Sequence, residues 1–182
     1  MSSSASDEEL AALAVAAKDA LAFETLVKRY QGLVRGFLGR LTGNAALADD
    51  LAQETFFRAF RSLRGYTGAG GFKSWLCAIA YREFLQARRK RAAVDQALAK
   101  LRAEPEPASG PWDPADTLAL DRALQSLSED ERAAVVMNFA LGLSHAEIAR
   151  TLDKPLGTVK TLIARGRETL KARLSPEPVL CR

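Results

Sequence analysis

Apolar positions recur at three- and four-residue steps along most of the chain. Phe23, Leu26, Val27, Tyr30, Val34, Phe37, Leu38 and Leu41 form one such stripe, the mark of a helix that buries one face. Asn44 can cap a following helix that runs through Asp49 and Glu54 to about Leu63. The pattern breaks at Arg64-Gly-Tyr-Thr-Gly-Ala-Gly-Gly71, where four glycines in eight residues predict a loop. A long helix resumes near Phe72 and is expected to end near Arg91. No segment alternates like a strand, so the chain is read as all-α.

The stretch Glu104-Pro-Glu-Pro-Ala-Ser-Gly-Pro-Trp-Asp-Pro114 holds four prolines and reads as a flexible linker. Beyond it, Ser128-Glu-Asp-Glu131 and Ser144-His-Ala-Glu147 are capping boxes, in which each Ser accepts an amide and each Glu reaches back. Between them lies an apolar helix through Val135, Val136 and Phe139, ended by Gly142. A short helix over about 145–152, a turn at Asp153-Lys-Pro-Leu156 and a longer basic helix from near Gly157 to about Leu174 make a helix-turn-helix. Ile148, Leu152, Val159 and Ile163 are its expected core, and Ala149 lets the two helices approach closely. The fold class is therefore all-α, two small helical domains joined by a flexible linker: 1–91, linker 92–116, and 117–182.

Charge follows this division: the three segments carry net +5, −3 and +2, for +4 over 182 residues. A basic chain of this kind suits an anionic partner. Hydrophobic residues at 48% and charged residues at 26% are ordinary for a soluble globular protein. Cys77 and Cys181 lie far apart without a CxxC partner, and His145 is the one histidine, so zinc fingers, disulfide scaffolds and His-based metal sites are excluded. No metal and no cofactor is expected. Cys77 is expected to be buried and His145 to lie on the surface. The apolar run Leu10 to Ala17 is short and follows Asp7, Glu8 and Glu9. It is neither a signal peptide nor a span, so a cytoplasmic protein without membrane insertion is expected.

Three surfaces carry candidate chemistry. The outer face of the last helix keeps Thr158, Lys160, Thr161, Arg165, Arg167, Lys171 and Arg173, side chains suited to phosphates and base edges. Arg82, Gln86 and Arg89 share one face of the long helix, close to a loop that offers Tyr66 as a stacking ring. Phe72 and Trp75 are assigned to the core. In Asp49-Asp-Leu-Ala-Gln-Glu-Thr-Phe-Phe-Arg-Ala-Phe60, acids and Gln53 lie beside Phe56, Phe57 and Phe60, a surface better suited to a protein partner than to DNA.

Two separated motifs resemble a known family. ADDLAQETFFRAF, a loop, FKSWLCAIAYREFLQARRKR, a linker and LSEDERAAVVMNFALGLSHAEIARTLDKPLGTVKTLIARGRETLKARL are together similar to the extracytoplasmic-function group of bacterial sigma-70 factors, over about residues 20–174. The resemblance implies two domains, sigma region 2 and region 4, that bind core RNA polymerase and promoter DNA under the control of an anti-sigma factor. It implies that Asp50, Gln53, Glu54 and Phe57 dock on the polymerase clamp. Tyr66, Thr67, Gly68 and Ala69 would capture a flipped base of the −10 element. Arg82 and Gln86 would face −10 bases, while Arg88, Arg89 and Arg91 hold phosphates. Lys160, Thr161, Ala164 and Arg165, with Thr158 and Arg167 beside them, would enter the −35 major groove. A linker over 92–116 reaches up to about 80–90 Å when extended, more than the roughly 50 Å of one and a half DNA turns.

Some positions depart from the family pattern. Arg82 stands where Asn is usual, and Gln86 where Asp or Asn is common, which predicts altered −10 specificity. Leu162 replaces a usual Arg and Gly166 a usual Ala, which predicts a weakened or altered −35 contact. The alternative reading is a stand-alone helix-turn-helix regulator whose first lobe senses or dimerises; a polymerase-binding decoy is a third. An enzyme is not expected, because no nucleophile, base and orienter are grouped and the Gly-rich loop lacks the Lys of a phosphate loop.

Overall fold

The computed structural model describes residues 5–17, 19–99 and 115–174. The first lobe holds four helices, α1 (Asp7–Ala16), α2 (Ala20–Thr42), α3 (Ala45–Ser62) and α4 (Gly71–Ala99). The second holds α5 (Ala115–Gln125), α6 (Glu129–Val135), α7 (His145–Leu152) and α8 (Leu156–Leu174), and α6 runs on into a π-helical turn, Val136–Ala140.

Local chemistry explains most of the boundaries. Asp19 accepts the amides of Leu21 and Ala22 and starts α2, whose apolar stripe is buried at Leu26, Val34, Phe37, Leu38 and Leu41. Gly43 ends it in the left-handed conformation, φ +64°. Asn44 accepts the amide of Leu47 at 2.9 Å and starts α3. That helix buries mainly small residues, Ala48, Ala52, Thr55 and Ala59, which lets its neighbours approach closely.

Two helical segments exceed the expectation from sequence. The chain before Asp19 forms α1, with Ser6 and Glu9 as a full capping box. Its Leu10, Ala11 and Ala14 pack into the core, and Asp7 accepts from both Arg29 and the Tyr30 hydroxyl. Helix α4 passes its expected end at Arg91 and continues to Ala99, so residues 92–99 of the expected linker are helix. Ala92, Ala93, Ala97 and an Arg91–Asp95 pair one turn apart favour that continuation. The rest of the linker up to Pro114 lies outside the described residues, as does Cys181.

Both predicted capping boxes of the second lobe are present, at Ser128 with Glu131 and at Ser144 with Glu147. Ile148, Leu152, Val159 and Ile163 form the core between α7 and α8. Gly166 acquires a reason that its low helix propensity hides. A Cβ there would lie 2.6 Å from Val135 Cγ2, so the glycine sets how closely α6 and α8 pack.

The lobes are not independent. Their buried side chains form one continuous core. Arg132 of α6 is only 9% exposed, and it donates to the carbonyls of Leu41, Leu124, Gln125 and Leu127 and to the Gln125 side chain. One guanidinium thus satisfies the C-terminal ends of α2 and α5 together.

Gly166→Ala is expected to destabilise the fold by about 1–3 kcal/mol through overpacking, the opposite of its propensity effect, as read by urea unfolding. Ser144→Ala is expected to cost about 1 kcal/mol at pH 7. The hydrogen bonds from Ser144 hold the Glu147 carboxyl below its ordinary range. A depressed carboxyl stabilises above its unfolded-state pKa and loses that contribution as pH falls through the folded-state value. The gap between wild type and Ser144→Ala should therefore close on acidification, measured by unfolding across that range.

Candidate nucleic-acid and partner interfaces

The turn between α7 and α8 is built by Asp153, which takes φ +53°, while the Lys154 amide donates to the Ala149 carbonyl at 3.0 Å. This aims α8 away from α7. With Val159, Ile163 and Gly166 buried, the opposite face of α8 leaves Thr158, Lys160, Thr161, Ala164, Arg165 and Arg167 exposed together. The structure therefore gathers all six predicted −35 residues on one surface. Leu162 is half-buried against the core, so its apolar character has a packing role.

The glycine-rich loop holds Tyr66, Thr67, Gly68 and Ala69 beside the start of α4. Tyr66 is not a free platform. Its ring packs on Trp75 at 5.1 Å and edge-on to Phe72 at 5.6 Å, and Tyr30 extends the cluster. Its hydroxyl is buried near Glu8, with no hydrogen-bond partner among the described residues. Phe72 is core, as expected, and Trp75 is half-buried.

Along α4, Arg82 and Gln86 are exposed and line a cleft of about 530 Å³ with Glu54, Phe57 and Arg61 of α3. The predicted base-facing pair and two of the predicted partner-facing residues, Glu54 and Phe57, therefore border one cleft. Arg58 ties its floor: the Nε lies 3.0 Å from Glu54 and 2.8 Å from Glu83, whose side chain is buried. Burial pushes the Glu83 carboxyl up, against the pull of Arg58. Sequence reasoning missed both residues; the Glu54–Arg58 spacing of one turn was the available signal. Arg88, Arg89 and Arg91 are all exposed; Arg88 pairs with Glu129 of the second lobe and Arg91 with Asp95 one turn on.

On α3, Asp50, Gln53 and Glu54 are exposed, and Phe57 is 55% exposed beneath the Arg61 guanidinium, 5.5 Å from its ring centre. Asp49 is different, since both its oxygens bind Arg35 and pin α3 to α2. Cys77 is fully buried and its thiol is pushed up to about 12 by that burial, so the thiolate form is suppressed. His145 sits half-buried in the first turn of α7. Among the described residues no cluster could hold a metal ion, and no helix is long and apolar enough to cross a membrane.

Residues 26–94 match sigma-70 region 2, and residues 117–170 match sigma-70 region 4. The RNA polymerase sigma-H factor of Pseudomonas aeruginosa is 32% identical, over 87% of this chain and 89% of that protein. The chain belongs to the extracytoplasmic-function group of the sigma-70 family. The sigma-E factor of that group from Haemophilus influenzae is 30% identical, over 87% of this chain and 90% of that protein. The SigE factor of that group from Mycolicibacterium smegmatis is 38% identical, over 84% of this chain but 62% of its own length. Among solved structures, the sigma factor RpoE bound to the anti-sigma factor NepR from Bartonella quintana matches with TM-score 0.72, 26% identity and 84% and 96% of the two chains covered. CnrH bound to the cytosolic domain of CnrY matches with TM-score 0.67, 27% identity, and 92% and 96% covered. In this sigma factor, family membership accounts for the pairing of a helix-turn-helix with a separate acidic and aromatic face.

The aromatic cluster yields a prediction. Tyr66→Phe removes a buried, unpartnered hydroxyl and should leave stability unchanged or raise it by up to about 1 kcal/mol. Tyr66→Ala should cost roughly 3 kcal/mol. Chemical denaturation of the two variants separates these outcomes.

Proposed function

We propose that this chain binds core RNA polymerase and directs it to promoters carrying a −10 and a −35 element. The observation that carries the reading is the exposed face of α3. Asp50, Gln53, Glu54 and Phe57 share one exposed face of a helix whose other side is buried, and a regulator acting on DNA alone has no use for an exposed phenylalanine beside carboxylates. In this reading residues 1–91 and 117–182 act as regions 2 and 4, joined through 92–116.

Region 2 docks on the polymerase clamp through those four residues. Tyr66, Thr67, Gly68 and Ala69 form the wall of a pocket for an extruded −10 base, whose unstacking costs a few kcal/mol that the pocket offsets. Arg82 and Gln86 face the neighbouring bases. Arg88, Arg89 and Arg91 take phosphates, and their attraction weakens with salt. Helix α8 enters the −35 major groove with Lys160, Thr161, Ala164 and Arg165, flanked by Thr158 and Arg167. The chain catalyses no reaction itself; bond formation belongs to the polymerase, in the cytoplasm. The relatives solved with anti-sigma partners support the same kind of control here.

The deciding experiment is run-off transcription with purified core polymerase on a promoter library. Polymerase-dependent initiation from a defined subset is the expected result. No initiation, with duplex binding by the chain alone, would establish the stand-alone regulator. Phe57→Ala should weaken polymerase binding by roughly tenfold, the scale of an interface anchor, without shifting the unfolding midpoint. Lys160→Ala should weaken −35 binding and lower the salt slope by about 1.

A further inference from the structure

Arg58 of α3 stands between two acids in different surroundings. Its Nε lies 3.0 Å from Glu54, one turn back on the same helix, and 2.8 Å from Glu83 of α4. Glu54 is exposed, on the face assigned to polymerase docking, whereas the Glu83 side chain is only 5% exposed. The two distances are nearly equal, so burial decides which acid holds the cation. Water screens the attraction at Glu54. The buried carboxylate gains more from the same guanidinium and is costly without it. Burial pushes the Glu83 carboxyl up, and Arg58, with Lys90 two turns further along α4, pulls against that.

The charge of the docking face depends on this division. Asp49 is bound through both oxygens by Arg35, which leaves Asp50 and Glu54 as the exposed acids of α3. A guanidinium held by Glu54 alone would cancel one of those two charges. Two carboxylates around one guanidinium leave one negative charge over, and it lies on the screened, exposed side. Resting on the sigma-factor reading, we propose that Glu83 is a positioning residue for polymerase docking: from the buried side of the cleft it draws Arg58 off Glu54, so that the Glu54 carboxylate is available to a basic group of the polymerase. Glu83 touches no partner itself and acts through Arg58. When the basic group engages Glu54, Arg58 passes wholly to Glu83, and neither the cation nor the buried acid loses its counter-charge.

The test combines the affinity of the full chain for core RNA polymerase with the Arg58 Nε–H signal of the free chain in a nitrogen-15 spectrum. Glu83→Gln keeps side-chain shape and removes the charge. It should shift that signal and weaken polymerase binding roughly two- to fivefold, the scale of one exposed ion pair, with the deficit shrinking as salt is raised. Adding Arg58→Gln removes the cation that Glu54 would otherwise hold, and should return the affinity to within about twofold of wild type. A loss of packing would not be repaired by a second substitution in the same cleft, and unfolding midpoints show that each variant is folded under the binding conditions. In a Glu54→Gln background, Glu83→Gln should add no further loss, because the residue through which it acts is gone. An Arg58 signal indifferent to Glu83→Gln, a double variant no better than the single, or a full additional loss on Glu54→Gln would each overturn the proposal. A wild-type chain that does not bind core polymerase would fail the sigma reading itself, whereas wild-type binding that Glu83→Gln leaves unchanged would overturn only the role of Glu83.

Discussion

A single buried guanidinium organises the molecule. Among the described residues Arg132 has no carboxylate partner; its charge is balanced by the carbonyl ends of α2 and α5, where helix dipoles concentrate negative potential. Burial lowers its pKa, yet an arginine remains charged in such a site. Using all three of its nitrogens on oxygen acceptors is what makes the burial tolerable. The consequence is geometric. In this arrangement the end of α2, the end of α5 and the start of α6 meet at one point.

From that point α4 serves as the spine of both lobes. Its inner face buries Phe72, Leu76, Cys77, Ala80 and Phe84, while region 4 lies along another side. The same division of faces produces the candidate functional surfaces. On α3 the small buried residues leave the acids and Phe57 outward, and on α8 the buried Val159, Ile163 and Gly166 leave the basic residues outward. The candidate surfaces are what packing leaves uncovered, and a 3.6-residue period suffices to sort the two sets.

Much of this was legible in the chain because the deciding interactions are local. The boxes at Ser128 and Ser144 connect groups three residues apart, and the core of the helix-turn-helix follows from spacing. The box at Ser6 carries the same signal for α1, but the Ala-rich run behind it has no clear apolar stripe. The helix over residues 92–99 is less legible, because its positions up to 97 are all exposed and no buried stripe marks it.

The sequence by itself determined the helices, their caps, the turn and the composition of the exposed basic and acidic faces, since each depends on residues within a turn or two of one another. Only the tertiary structure decided what Arg132, Gly166, Tyr66 and Arg88 do. Their partners are Leu41 for Arg132, Val135 for Gly166, Trp75 for Tyr66 and Glu129 for Arg88. These contacts depend on how helices meet in space, a long-range constraint that no periodicity encodes.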